Sequence, residues 1–285
     1  MFKNILIPIS SEYYTKEVLK RGVFLAEKFK SSINLIYIIE EKTLNQTDKE
    51  SDSYRTPYEI AETKNEIRQK QKQTADKIVF EDAKFYLKNN KIPFEEKIIE
   101  GEFSNVVKRE IGLKDYDLIL MGFEKECALR YRLFEEVKIP LWVVNKNDGK
   151  SILGVCSNLA PNVKVPDLSL KLSQTLNLEL NMIYVVDVED SVEVNEKAIR
   201  SDKKTEKDLM ISAENFKNEI EKKGINIELL RGSFEKEVIK ATEIYNPKIV
   251  IIGREQKKKG ILGLPIKNLK RKLVEKCKYS ILFLN

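Results

Sequence analysis

The sequence predicts two α/β domains joined end to end, each a mainly parallel five-stranded sheet with helices on both faces. Three observations predict it. Short apolar runs of strand length alternate with helical patterns along the chain. The same order of runs occurs twice. Glycines close corresponding runs in the two halves, Gly101 with Gly232 and Gly122 with Gly253.

The repeat has a measurable register. Ile5 in Ile5–Ile9 recurs as Ile152, and Tyr37 in Ile33–Ile39 recurs as Tyr184, both displaced by 147 residues. Both glycine pairs are displaced by 131, so the first copy carries 16 extra residues between Glu40 and Gly101. Equal displacements within each block place the domains at residues 1–146 and 150–285, with the polar stretch Lys146–Lys150 between them. Residues 41–65 are polar and weakly periodic, which reads as a loop or an exposed helical excursion. The first helix is expected over Tyr14–Lys30, from Val18, Leu19, Val23 and Ala26. The long helix of copy one should bury Ala75, Ile78, Val79, Ala83, Tyr86 and Leu87 on one face. That of copy two should bury Leu209, Ala213, Phe216 and Ile220.

Composition narrows the chemistry. The chain is 285 residues long, 42% hydrophobic and 34% charged, as a globular protein with a charged surface would be. It contains no histidine, so Ser-His-Asp and Cys-His catalysis and histidine-ligated zinc are excluded. Cys127, Cys156 and Cys277 show no C-x-x-C spacing and read as buried small apolar residues. The net charge of +6 does not indicate nucleic acid. No apolar run is long enough to span a bilayer, and Met1–Pro8 reads straight into a strand rather than a signal peptide. A cytoplasmic location without membrane insertion is therefore expected.

Several local runs resemble the universal stress protein family. Lys3–Ile9 resembles its first strand, and Tyr37–Glu40 and Tyr184–Asp187 the end of its second. Ile99–Gly101 and Leu230–Gly232 resemble the end of the third, Asp117–Gly122 and Lys248–Gly253 the fourth, and Lys138–Val144 and Tyr279–Leu284 the last. The resemblance covers nearly the whole chain, once per half. It implies Rossmann-like domains of the adenine nucleotide alpha hydrolase-like type, with strand order 3-2-1-4-5. It also implies that last strands pair two domains, here within one chain.

Family members that bind ATP carry an acidic residue after strand one. After strand four they carry a loop of glycine, two residues, glycine, nine residues, glycine, then Ser or Thr. Such glycines let backbone N–H groups approach phosphate. This sequence departs from the pattern in both copies. The acidic position is Ser10 in one and Ser157 in the other, and Glu124 and Glu126 follow Gly122. Only 17 residues separate Gly122 from Pro140, so copy one is not expected to bind ATP. In copy two Gln256 replaces the second glycine and Lys267-Asn268 the Gly-Ser pair. Two readings of its loop stand. One is a weak anion or ATP, ADP or AMP site built from Ser157, Val186, Gly253, Arg254, Lys257, Gly260, Gly263 and Asn268, with Arg254 and Lys257 reaching phosphates. The other is a solvated loop with Asn268 as a helix cap.

The turn Ser157–Asn162 lies where α/β ligands bind, yet its residue types favour capping and turn roles. Tyr13, Tyr14 and Trp142 read as packing residues rather than base stackers. The basic run Lys267–Lys278 reads as an amphipathic helix, with Leu269, Leu273 and Val274 inward, rather than a nucleic-acid surface. The expectation is a non-catalytic stress-response or regulatory protein requiring no cofactor or metal. It would act through an unidentified protein partner or weak small-ligand binding, as an intrachain pseudo-dimer or a homodimer. The alternative is an adenine nucleotide-binding protein or weak ATPase using the second loop.

Overall fold

The computed structural model describes residues 1–10, 14–39, 75–122, 133, 137–197, 199–254 and 269–284. The chain divides into two compact units, Met1–Leu133 and Phe134–Asn285.

In the first unit, β1 (Asn4–Ile9) is followed by α1 (Lys16–Phe29), β2 (Ser32–Ile39), α2 (Glu81–Asn89), β3 (Phe94–Glu100), α3 (Phe103–Leu113) and β4 (Leu118–Gly122). The strands are parallel in the order β3-β2-β1-β4. β1 and β4 are almost wholly buried, which explains their unbroken apolar sequences. α1 turns Val18, Leu19, Val23 and Ala26 inward, as its spacing predicts, and ends on Lys30 in a left-handed conformation.

α2 departs from the expected face. A π-helical turn, Ala75–Phe80, leads into it. The wider turn changes the phase, so Phe80, Ala83 and Leu87 are buried while Ile78 is 65% exposed. Tyr86 is only half-buried. The expectation for residues 41–65 lies outside the described residues.

The second unit contains β5 (Leu141–Val144), β6 (Ser151–Ser157), α4 (Lys164–Leu176), β7 (Glu179–Asp187), α5 (Glu206–Glu221), β8 (Glu228–Gly232), α6 (Phe234–Tyr245), β9 (Pro247–Gly253), α7 (Leu269–Lys276) and β10 (Ser280–Leu284). Its sheet runs β5-β10-β9-β6-β7-β8, with β5 antiparallel to β10 and the other pairs parallel. The five parallel strands follow the 3-2-1-4-5 order implied by the resemblance. The chain moves from β6 to β8 in one direction and then from β9 to β10 in the other. Right-handed crossovers therefore set α4 and α5 on one face and α6 and α7 on the opposite face.

β5 belongs to the first copy by sequence, yet its contacts place it in the second unit. Trp142, fully buried, stands opposite Leu282 on β10. That pairing explains why the division at Leu133 precedes the Lys146–Lys150 linker. The linker itself is fixed. Lys150 N–H donates to Asn246 O at 3.0 Å, and a Cβ on Gly149 would lie 1.9 Å from that oxygen. Replacement of Gly149 by alanine must push two backbones apart. It is expected to destabilise the second unit by about 1–3 kcal/mol, read as a lower thermal midpoint; an unchanged midpoint would contradict the contact.

Candidate functional site

The strand order of the second unit reverses between β6 and β9, and ligands of α/β proteins bind at the carboxyl ends of strands flanking such a point. Here those ends are Ser157 on β6 and Gly253 on β9.

The chain leaving β6 folds back over the reversal. Ser157 Oγ accepts from Leu159 N–H at 2.9 Å. Asn162 binds the Ser157 backbone in both directions, accepting from its N–H at 3.0 Å and donating to its carbonyl at 2.8 Å. This closes a tight turn that carries Pro161 onto β9. A Cβ on Gly253 would lie 1.8 Å from the Pro161 carbonyl oxygen. The glycine that was expected to admit a phosphate instead admits the protein's own backbone.

Arg254 is likewise committed inward. It is 1% exposed, and its guanidinium donates to the carbonyls of Val137 and Ile139 at 2.6 and 2.9 Å. Its backbone N–H donates to Leu284 O at 2.6 Å. Burial lowers its pKa to about 10. One of the two readings of this loop has the side chain reaching a phosphate; in the structure it ties the exit of β9 to the approach of β5. Val186 is fully buried within β7, opposite Arg231 on β8. Lys257, Gly260, Gly263 and Asn268 lie outside the described residues, as do Cys127, Glu124 and Glu126.

One carboxylate organises the neighbouring strand end. Asp187, 3% exposed, closes β7. Its Oδ1 accepts from Glu189 and Asp190 N–H at 2.9 and 2.8 Å, and its Oδ2 from Phe234 N–H at 2.7 Å, at the first turn of α6. Asn158 joins the same network, accepting from Asp187 N–H at 2.7 Å and donating to Val192 O at 2.8 Å. Asp187 ends the run Tyr184–Asp187, but two of its partners, Asn158 and Phe234, are 29 and 47 residues away and carry no local signal.

Beside the filled reversal a cleft of about 670 Å³ lies open. Ser157 and Asn162 form its floor with Tyr184 of β7. One wall is α5, through Ser212, Asn215, Phe216 and Glu219, four positions at helical spacing. The other is the segment between β7 and α5, which contributes Glu193, Asn195, Glu196 and Arg200. That segment is held by an antiparallel bridge between Val194 and Arg200, by Val194 N–H donating to Asn158 O, and by an Asx turn at Asn195. The rings of Tyr184 and Phe216 meet at 5.4 Å between centroids, tilted 49° to each other. Burial, with the Glu193 carboxylate adding to it, pushes the Tyr184 hydroxyl well above its ordinary pKa, so it remains a neutral phenol. Of the expected ligand residues, Ser157 lines this cleft; Val186, Gly253 and Arg254 do not.

In the first copy, Ser10 is fully buried at the end of β1, and Tyr14 OH donates to Asp82 at 2.7 Å, a packing role. Cys156 and Cys277 are buried and burial raises both thiols, Cys277 to about 11. On α7, Leu273 and Val274 are buried, while Lys272 and Lys276 face Glu235 at 3.9 and 2.5 Å. Among the described residues no three Cys, Asp or Glu side chains converge to hold a metal ion, and no helix is long and apolar enough to cross a membrane.

Fold and reversal together define a doubly wound α/β protein, a class whose ligands bind at the carboxyl ends of the parallel strands. Residues 1–139, which lie within the first copy, match the model of the universal stress protein family. The fold extends over the whole chain. A universal stress protein from Archaeoglobus fulgidus DSM 4304 superposes with a TM-score of 0.63 at 11% identity, covering 99% of this chain and 98% of that one. A functionally unknown protein from Pseudomonas aeruginosa PAO1 does so with 0.62 at 13%, covering 99% and 92%. No curated protein matches the chain.

Two substitutions test the reversal. Arg254→Ala leaves the Val137 and Ile139 carbonyls without their donors and opens a cavity. It is expected to cost about 3–5 kcal/mol in urea unfolding; a loss below about 1 kcal/mol would return the side chain to solvent. Asp187→Ala deprives three backbone N–H groups of their acceptor and should cost about 2–4 kcal/mol, with Asp187→Asn less damaging because one amide oxygen still accepts.

Proposed function

We propose that this universal-stress-type protein is a non-catalytic regulatory protein whose second copy receives a small ligand in the open cleft, with no nucleotide held at the strand reversal. One observation carries the reading. The reversal is occupied by the Pro161 carbonyl packed on Gly253, while about 670 Å³ of polar cleft lies open beside it. The inward commitment of Arg254 supports it, since the cation nearest the strand end is spent on carbonyls. The absence of histidine from the sequence supports a non-catalytic role, because the commonest general base is missing. The volume falls within the range of small-molecule sites.

In this reading no cofactor is required, the protein works in the cytoplasm, and a protein partner reads the liganded state. The two copies behave as an intrachain pseudo-dimer, with the β5–β10 pairing as support. The alternative, adenine nucleotide binding or weak ATP hydrolysis through the loop after Gly253, rests on the cations and glycines of that loop.

Titration calorimetry of the full chain with ATP, ADP and AMP decides between them. No heat is expected at millimolar nucleotide. Nucleotide heat that disappears in Lys257→Ala would overturn the reading in favour of the loop site.

A further inference from the structure

The cleft has a definite electrostatic character. Its lining carries three carboxylates, Glu193, Glu196 and Glu219, and one cation, Arg200. Two of these four charges are already matched: Glu193 pairs with Lys204, and Arg200 with Asp190 at 2.9 Å. Among the described residues Glu196 has no ion pair and accepts two long backbone bonds, from Asn162 and Val163 N–H at 3.4 and 3.3 Å. Glu219 is exposed on α5, with no ion pair among the described residues. Two negative charges on opposite walls therefore have no cation paired with them among the described residues.

Between them stands the Tyr184–Phe216 pair, with Phe216 half-buried and the tyrosine packed beneath it. Aromatic faces attract organic cations, and carboxylates supply direction and charge. Phosphates are repelled by the same residues. A divalent metal is disfavoured for a different reason, because the carboxylates do not converge. A flexible cation that spreads its charge over several ångströms matches what a point ion cannot.

Resting on the reading that the cleft is the ligand site, we propose that its ligand is an organic polycation of the di- or polyamine class. Glu196 and Glu219 hold its ammonium groups, and Phe216 with Tyr184 covers the aliphatic stem. Asn215 and Ser212, on the same side of α5, supply neutral acceptors along that stem. The chain as a whole carries a net charge of +6, so it does not attract polyamines indiscriminately. Binding then reports a local site.

Titration calorimetry of the full chain at low salt tests this, with spermidine as probe, glucose as a neutral polyol and ATP as the anionic control. Spermidine is expected to bind and the other two not. Glu219→Gln and Phe216→Ala, both surface-accessible changes whose folding is checked by circular dichroism, should each weaken spermidine about three- to fivefold, and added salt should weaken it further. No spermidine heat at millimolar concentration overturns the proposal, and so does binding indifferent to both substitutions. Glucose binding that is lost in Phe216→Ala, without spermidine binding, sinks the polyamine but keeps the cleft. If neither probe binds and ATP does, the cleft reading fails as well.

Discussion

The parallel pairing of β6 with β9 is the constraint on which the second unit depends. It places two strands side by side whose outgoing chains leave in opposite directions across the sheet, and this opens a gap at their carboxyl ends. In this protein the gap is closed from both sides. Pro161 brings its carbonyl onto Gly253, and Arg254 turns back into the protein to donate to Val137 and Ile139. The reciprocal bonds of Asn162 with Ser157 make the first closure rigid, because the turn has no freedom to lift without breaking both. A buried guanidinium with carbonyl partners makes the second closure hard to reverse, since its exposure would strand two acceptors.

Closing the reversal displaces the available space rather than abolishing it. Asp187 and Asn158 gather the ends of β6 and β7, the entry of α6 and the first turn of the following segment into one hydrogen-bonded knot. From that anchor the segment rises beside α5 and leaves a gap over Tyr184. The cleft is thus a by-product of the same bonds that fill its neighbour, and its lining mixes polar side chains with the rings of Tyr184 and Phe216.

Much of the scaffold was readable from the chain. Buried parallel strands are continuously apolar, so Ile5–Ile9 and Lys248–Gly253 declare themselves, and the doubled order fixes the fold class. The helix over Lys16–Phe29 followed from simple spacing. The face of α2 did not, because the π-helical turn at Ala75–Phe80 alters the phase and leaves Ile78 outside. The site was less legible. An arginine directly after a strand-ending glycine has the look of a phosphate contact, and nothing local reveals that Val137 and Ile139 lie behind it. The cleft draws Tyr184, Glu196 and Glu219 from three elements, a grouping that no spacing rule assembles. Ser157 was anticipated there as a ligand residue, from its position at a strand end, and Asn162 as part of the turn that follows it.

The antiparallel seam between β5 and β10 carries a consequence for how this gene product can be divided. β10 has one neighbour from its own repeat, β9, and one from the preceding repeat, β5. The stretch that was duplicated and the stretch that holds itself together are therefore offset by one strand. A cut at the linker would separate β10 from Trp142 and leave a bare row of backbone donors and acceptors, the kind of edge on which foreign strands assemble. A second half that keeps β10 paired on both sides begins ahead of β5, inside what the repeat assigns to the first.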